Sequence, residues 1–183
     1  EYKAKLEELA PIVYRLKLDD CVELGLVSPY EIHCMSVDLT EEEKTAYKKA
    51  NNMFVHYKYK LGQFDAFNEA KRILASKNTQ GHEKQWAVLF YKAIRARKVV
   101  VDFASNKIDA LKTIVLQNPD NKILTFAGAN EFTDKMCDSL GKLAVAYHSK
   151  KTKKQRDEAL KLFKTNKKKV LCSTKALNQG FDV

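Results

Sequence analysis

Cysteine is sparse and scattered: Cys21, Cys34, Cys137 and Cys172 form no CxxC pair and stand beside no set of histidines. Neither a zinc site nor a disulfide framework is suggested, and a reducing cytosol is the simplest setting for such thiols. No apolar run approaches the ~18 residues that a membrane span needs. The opening stretch EYKAKLEELA also lacks the apolar segment of a signal peptide. The expectation is an intracellular chain, in cytoplasm or nucleoid and of cellular or viral source, with no membrane partner. Acid is the scarcer charge, 23 Asp and Glu against 33 Lys and Arg, for a formal net charge of +10. That balance favours a polyanionic partner, with nucleic acid first. Disorder is not expected, because 183 residues with 45% hydrophobic content suffice for a packed core in one domain or a domain with an appendage.

The spacing of Tyr2, Leu6 and Leu9 predicts a short helix that Pro11 ends, and residues 12–28 read as a connector with a short helix around Asp19 to Leu24, capped by Gly25. From Tyr30 to Leu39 apolar and polar residues alternate after Pro29, which predicts a strand. Thr40 with Glu43 has the form of a capping box, so a helix should start at Glu41. Helical composition runs on to about Ala75, where SKNTQGH breaks it. A second long helix then carries the stripe Trp86, Leu89, Phe90, Ala93 and Ile94; Trp86, Phe90 and Tyr91 could form a base-stacking platform, but the helical spacing favours core packing for Trp86 and Phe90. A third helix has Ala104, Ile108, Leu111 and Val115 at helical spacing, and Asn118-Pro119 stops it.

After Pro119 the pattern changes. The runs ILTFA (123–127), LAVAYH (143–148) and VLCST (170–174) read as buried strands, and the segments between them carry helical stripes at Phe132, Met136 and Leu140, then at Leu160 and Phe163. Thr152 with Gln155 supplies a second capping box. The fold class is therefore α/β, with a β-α-β-α-β tail whose strands pair in parallel and whose ligands bind at the loops after the strands. Those loops are Ala127 to Glu131, His148 to Thr152, and Ser173 onward. The stretch Lys150 to Lys169 holds ten Lys and Arg against two acidic residues, placed next to that edge; it reads either as a solvated face or as a phosphate contact.

The succession KILTFAGANEF, AVAYHSKKTKKQRDEALKLF and KKKVLCSTKALNQGFDV resembles the second RecA-like lobe of a superfamily 2 helicase or translocase, from motif IV to motif V. The upstream SPYEIHCMSVDLTEEEKTAY is similar to the entry into this lobe in the XPB-like and phage UvsW-like branch. The resemblance implies a partial RecA-like parallel sheet, an inter-lobe connector at 1–28, and an incomplete second lobe at 29–183 with a helical insertion at about 41–118. It implies that Ser173 and Thr174 contact a nucleic-acid phosphate, and that Gly180 and Asp182 face the nucleotide. His148, Ser149 and Lys150 correspond to a loop that contacts the nucleic-acid backbone, Gly128 lies within motif IV, and Arg156 matches a basic residue early in the following helix. Two readings stand open for His148: nucleic-acid contact, or a strand-end ring satisfied within the fold. Gln179 departs from the pattern, since many members of the branch carry an acid there.

In such a motor ATP and magnesium sit between two lobes, and the chemistry needs a phosphate loop, a DExx box and an arginine finger. No GxxxxGK[ST] occurs in the sequence, and the arginine-finger motif of the family would follow Val183. The chain is accordingly expected to be a fragment, inactive alone and binding no cofactor tightly, of an ATP-dependent helicase or translocase. Its partners would be nucleic acid, DNA first, and the missing first lobe. The alternative is a non-catalytic basic α/β module that binds nucleic acid or a protein, with the helices from Glu41 to Gln117 as its surface. That helical stretch reads either as an arm gripping nucleic acid or as scaffolding.

Overall fold

The computed structural model describes residues 17–76 and 81–174. The chain divides into two compact units, Glu1–Ser36 and Val37–Val183. In the first, helix α1 (Leu18–Glu23) turns at Gly25, whose φ of 68° lies in the left-handed region that glycine tolerates. The Leu26 N–H donates to the Cys21 carbonyl, and the Tyr30 hydroxyl donates to Asp19. The alternating stretch from Tyr30 to Leu39 is not a strand. Alternation needs a partner strand and a face to bury, and here Ile32 is 79% and Met35 59% exposed.

In the second unit the first helix begins where the capping box predicts. Helix α2 (Glu41–Lys60) starts with Thr40 Oγ1 accepting from the Glu43 N–H and Glu43 Oε2 accepting from the Thr40 N–H. The expected run to Ala75 is interrupted: α2 stops at Lys60, and α3 (Ala66–Ala75) follows a tight turn at Gly62, where φ is 90°. The single glycine, with no Cβ to clash, allows a reversal that helical composition on either side conceals. Helix α4 (His82–Asp102) packs on both α2 and α3. Their shared core is Leu61, Ala66, Ala70, Ile73, Ala87 and Phe90, with Phe54 stacked on Phe90 at 5.4 Å. The Arg97 guanidinium lies 4.4 Å above the Phe54 ring and donates to the Tyr47 hydroxyl, a cation on an aromatic face.

Helix α5 (Asn106–Gln117) leads to a three-stranded sheet of β1 (Ile123–Phe126), β2 (Ala144–Tyr147) and β3 (Val170–Ser173), in the order β1-β3-β2 and all parallel. The crossovers are α6 (Asn130–Leu140), followed by a 3-10 turn (Gly141–Leu143), and α7 (Lys153–Lys164), the latter opening on the Thr152–Gln155 capping box. Strand alternation sorts the core into two layers. Val170, Cys172 and Ala144 face Phe132, Met136 and Val115, whereas Leu171 faces Ala159 and Phe163. The central β3 is buried on both faces, which is why VLCS reads as an unbroken apolar run with small residues. The architecture is α/β, a long helical segment followed by a parallel sheet.

Candidate nucleic-acid interface

The register brings the three strand ends level, because Phe126 and Tyr147 both pair with Ser173. Whatever follows each strand therefore leaves from one edge of the sheet. The loops in question are Ala127 to Ala129, His148 to Thr152, and Thr174. The Ala127 N–H donates to the Ser173 carbonyl and so ties the first loop to the third. Thr133 is buried and donates to the Ala129 carbonyl, with a longer contact of 3.4 Å to the Ser173 carbonyl, which fixes the start of α6 behind the same edge.

Gly128 comes close to another element. A Cβ at this position would meet Asp102 Oδ2 at 3.0 Å, so glycine lets the end of α4 approach this loop. Lys98 lies 4.0 Å from the same carboxylate. Beside it, the loop after β2 is held by the first turn of α6. Lys150 is ion-paired with Glu131, and Asn130 Nδ2 reaches Ser149 Oγ at 3.5 Å. The Lys150 ammonium, hydrogen-bonded to Glu131, holds that carboxyl below its usual range, and Lys150 itself is raised by the same bond.

His148 is 1% exposed, and its Nε2 lies 3.0 Å from Asp134 Oδ1. Lys151 Nζ reaches the same oxygen at 3.0 Å. Burial pushes the Asp134 carboxyl up, but hydrogen bonds from His148 and Lys151 outweigh it, and the net direction is down. His148 Nδ1 is buried without a hydrogen-bond partner among the described residues. The ring thus stands behind the loop, with Ser149 and Lys150 on its exposed side. Glu131, Asp134 and Lys151 were not singled out from the sequence. Their contacts join residues far apart in the chain, and only the parallel crossover, which returns the start of α6 to the strand-end edge, could have pointed to them.

Ser173 is fully buried, with its hydroxyl donating to the Thr174 carbonyl, and Thr174 is half-buried at the strand end. Arg156 lies in the first turn of α7, its guanidinium 6.0 Å from the Tyr147 ring centroid and its Nε buried without a partner among the described residues. Gly180 and Asp182 lie outside the described residues. Among the described residues no group of three His, Cys, Asp or Glu could hold a metal ion. No described helix is long and apolar enough to cross a membrane.

What the edge offers is hydroxyls at Ser149 and Thr174 and ammonium groups at Lys150 and Lys151, the donors that grip phosphate oxygens. A groove of about 480 Å³ runs instead along β2 between α6 and α7, and it is lined by Asp138, Glu158, Lys154 and Lys168 among others.

The model of the helicase conserved C-terminal domain matches residues 106–183. The chain is 26% identical over 179 residues to the DNA 3'-5' translocase XPB2 of Sulfurisphaera tokodaii, which takes in 96% of this chain and 38% of the relative. It is 35% identical over 89 residues to the ATP-dependent RNA helicase dbp2 of Schizosaccharomyces pombe, covering 46% of this chain and 16% of that protein. Among solved structures, the Pyrococcus furiosus Hef helicase domain aligns with a TM-score of 0.38 at 21% identity, over 77% of this chain and 28% of that one.

Proposed function

We propose that this chain, whose residues 106–183 match the model of the helicase conserved C-terminal domain, belongs to a superfamily 2 motor and that the strand-end edge of its sheet grips the phosphate backbone of a nucleic acid within that ATP-dependent motor. The observation that carries this reading is the level register of Phe126, Ser173 and Tyr147, which brings three strand ends to one edge, where the loop after β2 offers Ser149, Lys150 and Lys151 and the end of β3 offers Thr174. Thr174 and Ser149 would offer hydroxyls to phosphate oxygens, Lys150 a point charge, and Arg156 a guanidinium from the next helix. Contacts of this kind set position and carry no sequence information. DNA is the first polymer to test, since the relative aligned along nearly the whole chain is a DNA translocase.

By the resemblance, Gly180 and Asp182, which lie outside the described residues, would face the nucleotide. ATP turnover would supply the free energy for alternating strong and weak grip, and the residues described above would bind and orient the backbone. The chain spans 38% of the length of the XPB2 relative; in a whole motor of this kind the phosphate loop and the magnesium ligands would lie in the first lobe.

The test is duplex and single-strand binding by fluorescence anisotropy across a salt series. Thr174→Val is expected to weaken binding alike for all sequences, and Lys150→Ala to reduce the slope of log affinity against log salt by about one. Unchanged affinity and slope in both variants would overturn the assignment. In a longer form of the protein that carries a phosphate loop, both substitutions are expected to lower DNA-stimulated ATP turnover; a module that only binds shows no response to nucleotide.

A further inference from the structure

The turn between α2 and α3 is built with more care than a connector requires. Leu61 and Ala66 bracket it and are 5% and 4% exposed, so both of its feet are anchored in the helical core. The Gln63 N–H donates to the Lys58 carbonyl, the Asp65 N–H to the Gly62 carbonyl, and Asn68 Nδ2 to Asp65. Gly62 and Gln63 have φ of 90° and 24°, which turn the chain sharply outward. At the apex of this fixed turn stands Phe64, 100% exposed. On either side along the chain, Tyr59 is 72% and Phe67 55% exposed. A rigid turn that leaves a phenylalanine entirely in water gains no folding stability from it.

The charges around the turn choose among occupants. Between Val55 and Ala75 there are four Lys and Arg against two acidic residues, and Glu69 is paired with Arg72. That leaves Lys58, Lys60 and Lys71 against Asp65, and none of the three lysines has an acidic partner among the described residues. Lys60 lies 5.5 Å from the Trp86 ring centroid and Phe67 meets Tyr91 edge-on at 5.4 Å, yet exposed aromatic rings beside ammonium groups without an acidic partner still match the two surfaces of an unpaired nucleic-acid strand, whose bases stack and whose phosphates are anionic. A duplex hides its base faces in its own stack, and an apolar protein partner would leave the lysines without use.

We propose that Phe64, flanked by Tyr59 and Phe67 with Lys58, Lys60 and Lys71, is a stacking platform for the bases of a single strand. It is a second contact, separate from the sheet edge, and it rests on the reading above only for the class of polymer. The rigid turn presents the ring ready-made, so little conformational freedom is lost when a base lands on it.

The experiment measures binding of the full chain to fluorescein-labelled oligothymidylate and to a duplex of equal length at fixed salt. Phe64→Ala is expected to weaken oligothymidylate binding about fivefold to a hundredfold, with duplex binding little changed and the thermal unfolding midpoint unmoved, because the ring buries nothing. Phe64→Trp is expected to restore binding. Equal affinity of Phe64→Ala and wild type for oligothymidylate would overturn the platform, as would an equal loss on duplex. Lys150→Ala and Thr174→Val separate the two readings. If they weaken binding and Phe64→Ala does not, the sheet edge stands and the platform falls; if only Phe64→Ala weakens single-strand binding, the reverse holds.

Discussion

Lys150 and Glu131 hold one another at the strand-end edge, so a phosphate arriving there must compete with a carboxylate already in place. Glu131→Gln removes that competitor without removing the cation. The expected outcome is tighter nucleic-acid binding by about twofold to fivefold, the range of an exposed ion pair, measured by anisotropy at low salt and fading as salt rises. Unchanged affinity would mean that Lys150 does not meet the polymer. This pair was invisible in the sequence because nothing local links the two residues. By contrast, Thr40 with Glu43 and Thr152 with Gln155 were legible as caps, since each cap is made within one helical turn. His148 shows the difference within one residue: its place at a strand end was readable, but its burial against Asp134 was not.

The start of α2 joins two parts of the helical segment. Glu43 accepts from Thr40 through one oxygen and, through the other, from the N–H and hydroxyl of Ser105, which precedes α5. Asn106 adds a bond to the Asp38 carbonyl. Thr40→Ala is expected to cost about 1 kcal/mol, the usual worth of such a cap, seen as a lower denaturation midpoint with unchanged m-value. The bonds from Thr40 and then Ser105 lower the Glu43 pKa from its ordinary 4.5. A carboxyl held low when folded adds stability that is present above its unfolded pKa and is lost as pH falls through the folded value. Stability should therefore decline as pH drops below about 4.5, and Glu43→Gln should flatten that acid limb in urea titrations at pH 3 to 6. A steeper or equal acid limb would contradict the assignment. Elements were read from the sequence where pattern and burial agree, as in the strand runs of the tail. The reading failed where one residue decided the path, at Gly62, and where alternation had no partner strand to meet, from Tyr30 to Leu39.

For the molecule as a whole, the formal charge of +10 sets the background against which both proposed contacts act. It favours approach to any polyanion and says little about where the polymer comes to rest. The strand order matters more for how the molecule comes into being. β1 and β2 are made first but do not pair with each other, for β3 lies between them and, among the described residues, supplies every ladder bond of the sheet. During synthesis the first two strands must therefore wait, unpaired, until the residues up to Ser173 have left the ribosome. The helices α2, α3 and α4, with their own core of Leu61, Ile73 and Phe90, need none of them, whereas α5 packs its Val115 on the sheet. A chain cut after Asn166 is expected to keep helical circular dichroism and lose the protected strand amides of Ile123–Phe126 in hydrogen exchange, whereas retained protection would mean that β1 finds another partner. Assembly of the sheet is in this sense a late, single event, and a ribosome paused before β3 would display a finished helical body trailing two strands with nothing to hold.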